Sequence, residues 1–179
     1  MQFGKGILPA KEYLSNGLFS IQNCYSEAES SFNRQLHFHD FYELSLIYEG
    51  SSRFLINGSS FVAAAGSLQL IRPSDYHRQM TDTGEYIRYY NLIFRQEVLS
   101  NVLSDALEEA VEPFCFQMQE KEMQKMTQLL LELKREQEEK EAFWEKMSAD
   151  LIEKICILIL RKSPKKRQAK EEEIPEAVR

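Results

Sequence analysis

His37-Phe38-His39-Asp40-Phe41-Tyr42-Glu43-Leu44-Ser45-Leu46-Ile47-Tyr48-Glu49-Gly50 carries two interleaved messages. Phe38, Tyr42, Leu44, Leu46 and Tyr48 share one parity and are apolar; His37, His39 and Glu43 share the other. Successive side chains of a strand point to opposite sides, so a regular strand here packs one face against a second layer. Its other face presents two imidazoles and a carboxylate together. Gly50 ends the run.

Working outward, the flanking sequence has the same grammar. Gly17 to Tyr25 reads as a first strand, and Arg53-Phe54-Leu55-Ile56 runs into Asn57-Gly58. That dipeptide between apolar runs is a strong hairpin signal, because both residues accept the positive φ of a type I′ turn. Phe61-Val62-Ala63 answers on the far side. Gly66 turns the chain into Leu68-Gln69-Leu70-Ile71, which stops at Pro73, and Tyr86 to Phe94 supplies a further strand. Short strands at spacings of about ten residues, punctuated by turns, predict a sandwich or barrel over residues 1–95. In a closed sheet His77 comes opposite the His37–His39–Glu43 face.

From residue 96 the pattern becomes helical. Gln96 to Val111 is rich in helix formers and ends before Pro113. Gln119 to Lys140 carries Met123, Met126, Leu130 and Leu133 in one stripe, and Glu141 to Lys162 carries Trp144, Met147, Leu151, Ile155 and Leu158 in another. Ile152 and Ile159 widen the second stripe beyond one packing partner. Trp144, Met147, Leu151, Ile155 and Leu158 are therefore candidates either for a dimer contact or for the chain's own core. Residues 161–170 hold six positive charges and no negative ones, and residues 171–179 hold four Glu and one Arg. This reads as a charged linker, residues 163–179, following a helical segment at 96–162.

The chain has 179 residues, with 22 Lys plus Arg against 28 Asp plus Glu, a net charge of −6. An acidic balance disfavours direct grip on a phosphate backbone, so any nucleic-acid contact comes from a local patch or from a segment outside this sequence. Cys24, Cys115 and Cys156 are widely spaced and odd in number, without a CxxC, which suits free thiols in a reducing cytoplasm. The longest uninterrupted apolar run, residues 155–160, is far short of the roughly 20 residues of a spanning helix. No membrane partner is expected. P-loop, GxGxxG and Ser-His-Asp arrangements are absent, which removes support for nucleotide-dependent and hydrolase classes.

His37-x-His39-x3-Glu43-x6-Gly50 resembles the first signature of the cupin superfamily at every spacing. Gly66 to His77 resembles the second, with Arg72 where a proline is usual, Ser74 where a glycine is usual and Thr81 where an asparagine often follows. The fuller wording, His-x-His-x-Phe-Tyr-Glu-Leu followed by Gly50, Asn57-Gly58, Gly66 and Leu-Ile-Arg-Pro-x-x-x-His, resembles the N-terminal sensor domain of AraC-type transcription regulators. The resemblance covers residues 15–95 closely and the helices more loosely. It implies a mainly β fold with α: a cupin-like jelly-roll barrel, or double-stranded β-helix, followed by two or three C-terminal helices. It further implies a small-molecule effector in the barrel, a homodimer, no catalysis, and control of a helix-turn-helix DNA-binding domain absent from this chain.

His37, His39, Glu43, His77, Arg72 and Tyr90 are the effector-pocket candidates. Three readings of the His and Glu cluster stand: a ligand pocket without metal, a divalent transition-metal site on His37, His39, Glu43 and His77, or structural hydrogen bonding. No cofactor is expected on the first. The second would make the chain a metal-dependent cupin enzyme of dioxygenase or isomerase type. Arg53 and Arg88 are surface strand residues on the simplest reading.

Overall fold

The computed structural model describes residues 8–14, 17–28, 35–73 and 75–163; Ser74 and the charged tail from residue 164 lie outside the described residues. Among them, a short helix α1 (Ala10–Leu14) precedes β1 (Phe19–Glu27), β2 (Tyr42–Ile56), β3 (Ser59–Ala64), β4 (Ser67–Ile71), β5 (His77–Met80) and β6 (Tyr86–Phe94). A single 3-10 turn (Gln96–Val98), α2 (Asn101–Glu108), β7 (Phe114–Gln117), α3 (Glu120–Glu139) and α4 (Trp144–Lys162) follow.

All named strand pairs are antiparallel, and the strands run β1-β6-β2-β4-β7 across one sheet. The 15-residue β2 also builds a second sheet. Its first half, Glu43 to Leu46, pairs with β4 and β6; its second half, Ser51 to Ile56, pairs with β3, and Arg53 to Ile56 also with β5. Gly50, expected to end a strand, instead bends it. Its φ is +80°, and a Cβ there would lie 1.8 Å from the Tyr86 carbonyl oxygen. The register slips beside it, between Ile47 and Glu49, as a bulge does when it redirects a strand. Asn57 and Gly58, with φ of 49° and 84°, make the expected tight hairpin between β2 and β3.

Alternation on β2 sorts the interior. Tyr42, Leu44 and Leu46 are fully buried on the outer face, beneath α2, α3 and α4, with Leu68 and Leu70 of β4, Leu92 and Phe94 of β6, and Phe114 of β7. The helices add Met126, Leu130 and Leu133 from α3 and Leu151, Ile152, Ile155 and Ile159 from α4. The second layer is thus helical. Of the two roles open to them, Leu151 and Ile155 take the place in the chain's own core: α4 turns its central stripe inward, onto the apolar outer face of the sheet. Trp144 and Leu158 are partly buried, Trp144 beside the Phe19 ring at 6.1 Å, whereas Met147 is exposed. Two smaller clusters, Ile47–Phe54–Ala63–Ile87 and Ala10–Leu14–Phe41, lie apart from the main core on the inner side.

Three elements differ from expectation. The helix expected over 96–111 is a 3-10 turn and a shorter α2, separated by the extended backbone of Leu99 and Ser100. Strand β7 has no signal in the sequence: four residues between a proline and a helix give too little alternation to read, and pairing with β4 makes them a strand. The helical segment thus completes the sheet. β5 was likewise legible only through its pairing with β2. By contrast α3 starts on a readable signal, a capping box formed by Gln119 and Glu122.

Arg72 is not a pocket residue. It is 5% exposed, and its guanidinium grips Asp75 through two bonds of 2.9 Å while donating to the carbonyls of Leu107 and Ala110 at the end of α2. Asn57 of the hairpin donates to the same carboxylate at 2.6 Å. This network ties the β4–β5 turn to the hairpin and to α2. Burial alone would raise the Asp75 pKa, but the hydrogen bonds and charge of Arg72, with Asn57, hold it below the usual carboxylate range.

Two predictions follow from these constraints. Gly50→Ala should lower the unfolding free energy by about 3–5 kcal/mol, because it combines the left-handed backbone with a clash against main chain. Gly84→Ala, also at positive φ but with nothing within 4 Å, is the control and should cost only about 1–2 kcal/mol by urea denaturation. Asp75→Asn leaves Arg72 buried without its counter-ion and should cost about 3–5 kcal/mol near neutral pH. A depressed native pKa stabilises above the ordinary aspartate range and is lost as pH falls through the native value. The gap between wild type and Asp75→Asn should therefore shrink on acidification; a gap constant with pH would contradict the pairing.

Candidate functional site

The inner face of the sheet holds the polar residues that β2 alternation sets apart from the core. His37 and His39 precede β2 rather than riding on it, since the strand begins at Tyr42. His37 is placed by an isolated bridge to His77, each backbone N–H donating to the other's carbonyl at 3.0 and 2.8 Å. His39 bridges to Leu8, and its ring stacks on Phe41 at 4.0 Å. The His77 ring centroid lies 4.3 Å from that of His37 and 5.0 Å from that of His39. The four residues expected to converge do so.

Glu43 is the hub. Its Oε2 is 3.1 Å from His39 Nε2 and 3.6 Å from His77 Nε2. Burial would raise the Glu43 pKa, but the hydrogen bond from His39 and the neighbouring His77 imidazole hold it well below the ordinary range. Burial, then the neighbouring His77, pushes the His37 pKa down, so His37 favours its neutral form. His39 faces an acceptor on each side, the Phe41 carbonyl 2.7 Å from Nδ1 and the Glu43 carboxylate at Nε2. A neutral imidazole has one N–H, so satisfying both contacts takes a second proton or a cation at Nε2.

The donor set fits a transition metal. His39, Glu43 and His77 offer two imidazole nitrogens and one carboxylate oxygen, all within 4.8 Å of one another. The bond from His39 Nδ1 to a backbone carbonyl is the kind that orients a metal-bound imidazole. His77 lacks that support, since its buried Nδ1 has no partner among the described residues. His37 stands outside the three-residue group.

The cluster opens into a cavity of about 480 Å³ between the two sheets. Tyr89, Asn91 and Ile93 of β6, Ser20, Gln22 and Cys24 of β1, and Ser45 and Gln69 line it with the histidines and Glu43. Tyr90 does not line it. Adjacent residues of β6 face opposite sides, so Tyr90 packs against the outer core and pairs with the Tyr48 ring at 5.1 Å. Period two, applied from Leu92 and Phe94, would have chosen Tyr89 and Asn91 instead. Ser45 continues the Glu43 parity, and Gln69 is the one polar residue within Leu68-Gln69-Leu70-Ile71; both signals were present in the sequence. Arg53 and Arg88 are exposed and paired with Asp82 and Glu49, as surface residues are.

The descriptions of known proteins agree with this arrangement. The model of the AraC-like ligand binding domain matches residues 22–171. Comparison with the curated proteins gives no match. Among solved structures, apo ToxT from Vibrio cholerae superposes with a TM-score of 0.53 at 14% identity, over 79% of this chain and 54% of that one. A cupin protein from Bacteroides fragilis has a TM-score of 0.41 at 17% identity, over 51% of this chain and 77% of the other. A Cupin 2 conserved barrel domain protein from Salinispora arenicola has 0.39 at 20% identity, over 46% and 67%. A family match spanning most of the chain, on a barrel whose inner face holds a convergent polar pocket, leads to one assignment: the chain belongs to the AraC-like ligand-binding domain family.

Proposed function

We propose that the chain binds a small effector in the barrel cavity without transforming it. The chain would then regulate transcription through a helix-turn-helix DNA-binding segment outside this sequence. The observation that carries the reading is that one sheet serves both tasks: its inner face lines the cavity and its outer face seats α3 and α4. The edge strand β1 makes the link. Ser20, Gln22 and Cys24 face the cavity, while the backbone of Ile21 between them is gripped by Gln137 of α3, donating to its Oε1 at 2.8 Å and accepting from its Nε2 at 3.1 Å. A ligand that favours one position of β1 biases α3 with it, to the extent of its differential affinity for the two positions. Apo ToxT, about half of whose length this chain covers, shares the fold.

Where a divalent transition metal is bound, His39, Glu43 and His77 would hold it, and it would supply a Lewis acid for an oxygen or nitrogen of the effector. A cupin-type enzyme would use the same three residues, and only turnover of a bound compound would favour it. None of the described helices is long and apolar enough to cross a membrane. We take the cytoplasm as the place of action, on the free thiols; burial pushes the Cys156 thiol up to about 12.

Dimerisation, in this reading, uses what α4 leaves outside its own core. Phe143 is 83% exposed and holds a left-handed backbone, φ 67°, which is costly for a bulky residue. Met147, one turn on, is 44% exposed. A second copy covering this pair would account for both features. The double variant Phe143→Ser, Met147→Glu should sediment as a monomer with an unchanged thermal midpoint; a wild-type chain that already sediments as a monomer at high concentration removes the dimer.

The effector reading is tested by a thermal-shift screen of a small-molecule library on the intact chain. Compounds that stabilise wild type should lose about tenfold or more in affinity for His39→Ala or Glu43→Ala, the scale of one buried hydrogen bond to a charged group. Far-UV circular dichroism and oligomeric state should not change. Hits that bind both variants as tightly as wild type would place the effector elsewhere.

A further inference from the structure

The cavity floor is a cross-strand row rather than a scatter of polar groups. Gln22 of β1 pairs with Asn91 of β6, Asn91 with Ser45 of β2, Ser45 with Gln69 of β4, and Gln69 with Cys115 of β7. Gln22, Asn91, Ser45 and Gln69 thus line the cavity at matched register, one uncharged polar residue from each of β1, β6, β2 and β4, and Cys115 continues the row next to Gln69 without lining the cavity. Among the described residues lining the cavity there is no Lys or Arg, and the one carboxylate, Glu43, is engaged by His39 and His77.

Within this row Gln69 is anomalous. It is 1% exposed, it lines the cavity, and among the described residues neither its Nε2 nor its Oε1 has a hydrogen-bond partner within ordinary distance. The Cys115 thiol feels the amide, which opposes the effect of burial on its ionisation, but sulfur is a weak hydrogen-bond partner. A buried amide without partners costs stability, whereas an apolar side chain of similar size in the same place would not. Gln69 sits between Leu68 and Leu70, both buried in the outer core, so the strand holds it rigidly in place. This is the pattern of a group kept for a ligand at the expense of the fold.

From this geometry we infer that the cavity selects an uncharged ligand bearing a carboxamide-type pair, one donor and one acceptor side by side, seated on Gln69, and rejects the corresponding carboxylate. The inference rests on the effector-pocket reading above and adds the chemical class. An amide opposite an amide satisfies both Gln69 atoms at once. A carboxylate can accept from Nε2, but its second oxygen then meets Oε1, acceptor against acceptor. Its charge also finds no free Lys or Arg among the described lining residues, and a buried unpaired carboxylate is costly. Phe54 and Tyr89, which also line the cavity, offer apolar and aromatic surface for the body of such a ligand.

Benzamide and benzoate, alike in shape and different in charge, are the probes. Each is titrated into the whole 179-residue chain near neutral pH with EDTA present, so that no adventitious metal recruits the carboxylate, and binding is followed by amide chemical-shift changes in β2, β4 and β6. Benzamide should give saturable shifts and benzoate should bind at least roughly tenfold more weakly. Gln69→Leu should abolish the benzamide shifts while raising the thermal midpoint. If benzoate binds as well as benzamide, the ligand class is wrong and the pocket reading survives. If neither perturbs the cavity strands, both readings fall. If Gln69→Leu still binds benzamide with wild-type affinity, Gln69 is not the anchor and the inference is overturned. Should Gln69→Leu fail to fold, the expected gain in stability is refuted, and the wild-type comparison of the two probes still decides the ligand class.

Discussion

The fold depends on how β2 runs. A strand that alternates strictly has two faces of different solvation, and this one gives Tyr42, Leu44 and Leu46 to a helical layer while giving Glu43 and Ser45 to a cavity. The same strand then bends at Gly50 and joins a second sheet, so the polar face is enclosed instead of left in water. Enclosure is what turns ordinary polar side chains into a site. Outside water, each must find a partner, and the strength of every pairing rises.

The outer core and the inner site therefore share a wall one residue thick. Leu68 and Gln69 are neighbours in β4, one under the helices and the other in the cavity. On the edge strand β1 the division is finer, since Gln137 holds the backbone of Ile21 and cavity residues flank it on both sides. At the far end of the helix pair, Lys162 of α4 reaches Glu122 of α3 at 2.5 Å, so the two helices are joined where the charged tail departs. Close-packed layers of this kind do not deform freely, and a shift on one face must be accommodated on the other.

The polar interior is sorted into groups with different duties. Arg72, Asp75 and Asn57 form a satisfied network that fastens two turns to α2. His39 and His77 meet around Glu43, a cluster that is satisfied only when a proton or a cation is shared. Gln69, with only the weak Cys115 thiol beside it, has no hydrogen-bond partner among the described residues. This gradient, from the paired network outside the cavity to the amide lining it, separates groups that stabilise the chain from groups held ready for something else.

Sequence alone was enough for everything governed by local pattern. The alternation at 42–48, the Asn57-Gly58 turn and the stripes of α3 and α4 follow from period, turn chemistry and spacing, because each depends on residues close in the chain; the spacing of His37, His39 and Glu43 was readable too, but their meeting with His77 rests on a bridge between distant segments. Tertiary structure decided what depends on partners distant in sequence. It made Gly50 a bend, because the Tyr86 backbone lies against it, and made Phe114–Gln117 a strand, because β4 offers an edge. Arg72 became a clamp because the end of α2 supplies carbonyls from 35 and 38 residues away. Tyr90 faces the core because β6 pairs with β2 in the register that sends Tyr89 and Asn91 inward. Leu151 and Ile155 are core residues because the sheet behind α4 is apolar across its width. Even the polar row from Gln22 to Cys115 cannot be read along the chain, since its five members come from five strands and register alone brings them into line.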